Sequence, residues 1–205
     1  MAFVRSLQMA VLAAALTLTA GEAHAEGFFA KLFGGGFDVQ PVEAVPGAAV
    51  PMKYKRQRVR YVTDEAPGTI IIDSDAKFLY LVEGDNRAMR YGVGVGREGF
   101  GWQGRVKIGR KAEWPTWTPP PEMRQREKQK GRILPASMKG GPKNPLGARA
   151  MYLYDGGRDT MFRIHGTSEP WTIGHNVSSG CIRMVNNDVA DLYERAPVGT
   201  RVIVN

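Results

Sequence analysis

A mainly β domain with one or two short α-helices is predicted over residues 68–205 of this 205-residue chain. Three observations predict it. Runs of β-branched and aromatic residues recur from Thr69 onward, turn-prone stretches such as DSDA and EGDN separate them, and a single strongly one-sided helical pattern lies near the end.

TIIID, FLYLVE and MRYGVGVG read as three consecutive strands in a meander, and VKIGRKAEW as a fourth. WPTWTPPPEM is too rich in proline for a central strand. Pro120 and Pro121 followed by Glu122 open a short charged helix to about Gln129, polar all round and therefore expected on the surface or in a lid. A strand is expected at about Ala150–Tyr154, and TMFRIH (160–165) alternates to make another. In NNDVADLYERA, Val189, Leu192, Tyr193 and Ala196 fall at i, i+3, i+4 and i+7, with Asn186 or Asn187 as the cap. Pro197 and Gly199 stop that helix, and TRVIV closes the chain as a strand.

Residues 1–25 read as a secretory signal peptide: Arg5, an apolar run from Met9 to about Ala20, and Ala23-His24-Ala25 at the cleavage site. The run is short for a membrane span, which needs about 20 apolar residues, so no transmembrane anchor is expected. Residues 26–67 read as a poorly ordered Pro/Gly/Ala-rich and basic tether. An exported protein, in a Gram-negative periplasm and associated with the cell wall, is the expected setting.

The net charge is +8, and Arg5 cancels Glu22 within the leader, so processing leaves it unchanged. A basic exported protein is drawn to anionic surfaces such as wall polymer. The clusters KYKRQRVR (53–60) and RQREKQKGR (124–132) fit no nucleic-acid motif, and each also reads as a solvated face, so no nucleic-acid partner is expected.

Cys181 is the one cysteine in the chain. In an oxidising compartment a solitary thiol is either reactive or a small buried hydrophobe. His165 ends a strand sixteen positions earlier, and an adjacent imidazole is what activates a thiol. Gly180 allows a sharp turn, with backbone N–H groups near it available to a developing oxyanion. Arg183 shares a face with Cys181 if the segment is extended, and is either a receptor for a substrate carboxylate or a surface arginine. His175 reads as a surface histidine, a substrate contact or a third zinc ligand, and its spacing matches no short metal motif, so no metal or other cofactor is expected. Trp114, Trp117 and Trp171 line a cleft or pack in the core.

HGT (165–167), EPWTIG (169–174) and SSGCIRM (178–184), with NPLGARAMYLYD (144–155) and the closing helix and VGTRVIV, resemble the L,D-transpeptidase family, the YkuD-type catalytic domain. The resemblance covers about two-thirds of the chain and implies mixed, sandwich-like β-sheets. It implies Cys181 as nucleophile, His165 as general base and proton donor, and the Gly166 carbonyl as the group that orients the His165 ring. Gly180 falls in the oxyanion region, with Ser179, Trp171 and Arg183 near the substrate. The common family signature is Ser/Thr-His-Gly-Cys, and Ser179 replaces its histidine here. The implied reaction is thioester formation on peptidoglycan tetrapeptide stems with loss of D-alanine, followed by transfer to a stem amine, which builds wall and maintains cell shape, or to an outer-membrane protein. A thiol hydrolase of the same fold and a non-catalytic wall-binding protein are the alternatives.

Overall fold

The computed structural model describes residues 50–205 except 99–100. The expected leader and the first part of the expected tether lie outside the described residues. Eleven strands follow in chain order: β1 Gln57–Arg60, β2 Ile70–Asp73, β3 Phe78–Gly84, β4 Arg87–Gly92, β5 Val95–Gly96, β6 Gly104–Glu113, β7 Arg149–Asp155, β8 Arg158–His165, β9 Asn176–Ser178, β10 Ile182–Arg183 and β11 Arg201–Val204. Two helices accompany them, α1 Pro121–Gln129 and α2 Asn186–Arg195.

Nine strands form one mixed sheet in the order β1-β4-β3-β2-β11-β6-β7-β8-β10, and β5 pairs with β9 in a second, two-stranded sheet. The meander β2–β4 is antiparallel throughout, as tight turns between successive strands require. The two parallel pairings of the large sheet, β11 on β2 and β10 on β8, and the parallel pair β5 on β9 each join separate parts of the chain. Alternation along the strands sends Ile70, Ile72, Leu79 and Leu81 into one large core with Ile108, Met151, Leu153 and Ile164. Ile71, Val82 and Ile203 take the opposite face under Tyr61 and Tyr80. Residues from both halves of the sheet share the first core, so the sheet curls around it and α2 closes it with Val189, Leu192 and Ala196.

The structure differs from the sequence reading at three elements. The basic run assigned to the tether is part of the fold: β1 pairs antiparallel with β4, Arg58 donates to Glu83 at 2.6 Å, and Arg56 reaches Asp191 at 2.9 Å. Its alternation of charged residues around Val59 is that of a solvated edge strand, a pattern that composition alone cannot separate from a linker. Just before it, a single 3-10 turn at Met52–Tyr54 seats Tyr54 over Gly92 and Gly174, where a Cβ would collide with it. Helix α1 is not polar all round: Met123 is buried, and so is Glu127, which is ringed by Arg126, Lys130 and Arg132. The cap of α2 is Val185, without a side-chain bond; the Asn186 Oδ1 instead accepts from the Ala148 N–H at 3.0 Å, tying the helix start to the residue just before β7.

Met123 packs with Trp117 and Leu134 in a small core of its own, between β6 and β7. Asn144, almost fully buried, ties this excursion together: its Nδ2 donates to the carbonyls of Pro115, Met138 and Lys139, and its Oδ1 accepts from the Leu146 N–H. Trp117 thus serves a core, whereas Trp114 is about half exposed.

Tyr54 tests the docking of the N-terminal segment. Tyr54→Ala should empty the space above Gly92 and Gly174 and lower stability by on the order of 2 kcal/mol, given its partial burial. Urea unfolding reads the loss, and amide exchange should speed up first along residues 52–60.

Candidate active site

The site begins with a backbone register. β10 runs parallel to β8, with Ile182 opposite Ile164 and Arg183 opposite His165. The two isoleucines enter the core, so Arg183 and His165 share the other face. One step back along the same register, Cys181 falls beside Arg163 and on the His165 face. Strand spacing and rise put the Cα atoms of Cys181 and His165 roughly 8 Å apart, within the span of a thiol and an imidazole that lean toward each other. Met184 continues the tie by donating its N–H to the His165 carbonyl at 2.8 Å.

His165 is buried, and its Nδ1 lies 2.6 Å from the Gly166 carbonyl. A carbonyl only accepts, so Nδ1 carries the hydrogen and Nε2 keeps its lone pair. Burial pushes the imidazole down to about 3; the Arg183 charge adds to this, the Gly166 hydrogen bond opposes it, and the Arg163 charge contributes in the same direction as burial. His165 is therefore neutral at neutral pH, with Nε2 unprotonated.

Cys181 is half-buried. Its Sγ lies 4.0 Å from the Met161 carbonyl, against the β8 backbone. Burial pushes the thiol up, while a backbone hydrogen bond from Arg163 and the Arg163 and Arg183 charges pull it down. At neutral pH the thiol and the imidazole therefore both rest uncharged.

Strand β8 is bent where it meets the sulfur. Its register on β7 shifts between Tyr152 and Tyr154, and Met161 has φ +64°, unusual for a residue with a side chain. Local bonds hold the bulge: the Met161 N–H donates to Asp159 Oδ1 at 2.8 Å, the Thr160 hydroxyl donates to the Leu153 carbonyl at 2.7 Å, and Arg163 forks onto both Asp159 oxygens at 2.6 and 2.9 Å.

The turn into Cys181 is equally tied. Gly180 takes φ +105°, which is why a glycine stands there. Sequence reasoning places its backbone in the oxyanion region, but the Gly180 N–H donates to Ser178 Oγ at 3.1 Å. The Ser178 hydroxyl in turn donates to the Cys181 carbonyl at 2.6 Å. The Ser179 hydroxyl is buried without a hydrogen-bond partner among the described residues. Trp171 sits half-buried in a 3-10 turn, Pro170–Thr172, on the loop between β8 and β9. That loop is laced to the β5 segment: the Gly174 N–H donates to the Val93 carbonyl, Val95 to His175 and Arg97 to Ser178. Arg183 and Gly94 exchange both backbone bonds, at 2.8 and 2.9 Å.

Arg183 is not a surface arginine. Its side chain is buried and its guanidinium meets Glu169 at 3.2 Å, so protein charge rather than open solvent faces it. Glu169 was visible in the sequence only as part of EPWTIG; nothing in its spacing marked it as the counter-ion of Arg183. Trp102 was missed as well. Its Nε1 donates to the Gly180 carbonyl at 3.1 Å, and its ring stacks on Phe162 at 4.7 Å with 10° between the planes. Among the described residues no group of three His, Cys, Asp or Glu side chains is placed to hold a metal ion.

A sequence profile of the L,D-transpeptidase catalytic domain, YkuD, matches residues 67–204. The chain belongs to this family. It is 37% identical over 139 residues to the probable L,D-transpeptidase YbiS of Escherichia coli K12, covering 66% of this chain and 43% of that one. A putative L,D-transpeptidase of Fuscovulum blasticum is 42% identical over 102 residues, half of this chain and 49% of the relative. The chain thus spans less than half the length of these curated relatives. A crystal structure from Brucella melitensis, described as a probable carnitine operon oxidoreductase, is 50% identical and matches with a TM-score of 0.52, covering 76% of this chain and 96% of the other. The name of that last protein differs from the family assignment, which rests on the profile and on the E. coli relative.

Two predictions test the electrostatics. The unfolded chain protonates His165 near its ordinary pKa of about 6.5, while the folded chain resists until about 3. Between those values the unfolded state binds more protons, so stability falls as pH is lowered through that window, by roughly 5 kcal/mol in all. Thermal unfolding against pH should show this slope, and His165→Gln should flatten it. Glu169→Gln leaves the buried Arg183 charge without its carboxylate; stability should drop by about 3–5 kcal/mol, read by chemical denaturation.

Proposed function

We propose that the protein is a cysteine-dependent L,D-transpeptidase, exported to the cell-wall compartment and acting on peptidoglycan tetrapeptide stems. The observation that carries the reading is the β8–β10 register, which sets the one thiol of the chain on the same face as a buried imidazole whose Nδ1 is fixed on Gly166. The family assignment supplies the substrate class.

Acylation starts from the neutral pair. As the Cys181 sulfur attacks the carbonyl carbon at the L-centre of the third stem residue, the thiol proton passes to His165 Nε2. The S–C bond forms and the carbonyl π pair moves to oxygen, giving an oxyanion. A free thiolate is disfavoured by burial, so proton transfer accompanies attack instead of preceding it. The buried Arg183 charge favours negative charge on the sulfur and restrains the imidazolium from forming early. When the oxyanion collapses, the C–N bond breaks and D-alanine leaves with the proton from His165. An amine then attacks the thioester carbon and gives its proton to His165; the new C–N bond forms, the C–S bond breaks, and the leaving sulfur takes the proton back from His165 as the thiol is restored. A side-chain amine of a second stem makes a 3→3 cross-link, and an outer-membrane protein amine makes a protein-linked stem.

The test is incubation with a tetrapeptide, with and without an acceptor stem, followed by mass spectrometry. A thioester adduct on Cys181 and a cross-linked product are expected. Free tripeptide alone under both conditions would make the protein a thiol hydrolase, and no adduct at all would remove the enzyme reading. Cys181→Ala should abolish the adduct, and His165→Ala should slow acylation by ~10²–10⁴.

A further inference from the structure

We propose that Trp102 is a positioning residue for acyl transfer: it fixes the peptide plane between Gly180 and Cys181 and so aims the Cys181 N–H at the developing oxyanion. The inference rests on the reading of Cys181 as nucleophile.

The argument begins with which donors remain. The Gly180 N–H is committed to Ser178 Oγ, so it does not serve an incoming oxygen without breaking that bond. The N–H nearest the sulfur is then the nucleophile's own. It belongs to the same peptide unit as the Gly180 carbonyl, and in a planar trans peptide those two groups point in opposite directions. Whatever holds the Gly180 oxygen therefore sets where the Cys181 N–H points. That holder is Trp102, whose indole N–H reaches the oxygen at 3.1 Å from 78 positions away in the chain.

The need for such a holder follows from Gly180 itself. A glycine at φ +105° has wide conformational freedom, and its flanking peptides can rotate at little cost. Ser178 restrains the next peptide by donating to the Cys181 carbonyl at 2.6 Å. Without Trp102 the preceding plane would lack its side-chain tie. The indole is itself braced: its ring lies flat on Phe162, 4.7 Å between centroids, and Phe162 belongs to the β8 bulge that the sulfur rests against. Thiol, bulge and indole therefore form one packed unit. Oxyanion stabilisation depends on donors aimed in advance, so a few tens of degrees of freedom in that plane would weaken it.

The experiment separates reactions that need an oxyanion from one that does not. Acylation by the tetrapeptide passes through a tetrahedral oxyanion. Alkylation by iodoacetamide displaces iodide at a saturated carbon and needs only the sulfur. Trp102→Phe removes the N–H and keeps an aromatic ring on Phe162; replacement by benzothienylalanine removes the N–H while keeping the bicyclic shape. In both, single-turnover acylation should fall by about 10–100-fold, with tetrapeptide binding unchanged and iodoacetamide alkylation held within about twofold of wild type. Equal loss of both reactions would overturn the inference, because it would mean the indole only holds the thiol or the fold. Unchanged acylation in the benzothienylalanine protein would also overturn it. A wild-type protein that forms no acyl-enzyme removes the functional reading and this inference together, and is recognised because the failure precedes any substitution.

Discussion

Two residue pairs of parallel sheet decide the chemistry of this molecule. Where β10 meets β8, Ile182 and Ile164 are pulled into the core, and that burial forces Arg183, His165 and Cys181 toward the other face. A slip of one residue would exchange the faces and bury the sulfur in the core. So short a strand is not stable alone. It is held because Arg183 is also paired through its backbone to Gly94, and because Met184 donates to the His165 carbonyl before α2 begins. The core packing of α2 and the site geometry are therefore one mechanical unit.

Charge follows from the same register. Arg183 lies level with His165; burial is what mainly keeps the imidazole neutral, and the buried guanidinium adds to it while favouring negative charge on sulfur. Glu169 offsets enough of that charge for the arginine to remain inside the protein. Burial alone would leave both the thiol and the imidazole inert. The surrounding backbone opposes burial without reversing it, through the Gly166 carbonyl on one ring nitrogen and the Arg163 hydrogen bond at the sulfur.

What the sequence made legible was local. Strands with an apolar alternation, such as Phe78–Gly84 and Arg158–His165, announce themselves, and so does α2 with its single apolar stripe. The histidine and cysteine were visible because few residue types suit the proton transfer and nucleophilic attack proposed for them. The features that escaped are long-range or disguised. β1 is an edge strand whose outward charges look like a linker. Glu127 is a buried acid inside a charged run, and only folding reveals that Arg126, Lys130 and Arg132 close on it. Asn186 sits where a helix cap belongs, yet it bonds to Ala148, 38 positions earlier. Trp102 carries no motif at all; its partners, Gly180 and Phe162, are set beside it only by the fold.

The sulfur resting against the β8 bulge has a consequence for how the protein ages. Peroxide converts an accessible thiolate to a sulfenic acid, and cells usually reverse that through a neighbouring thiol. This chain contains no second cysteine to resolve the oxidised one. Keeping the group protonated and half enclosed is then its intrinsic defence against irreversible damage.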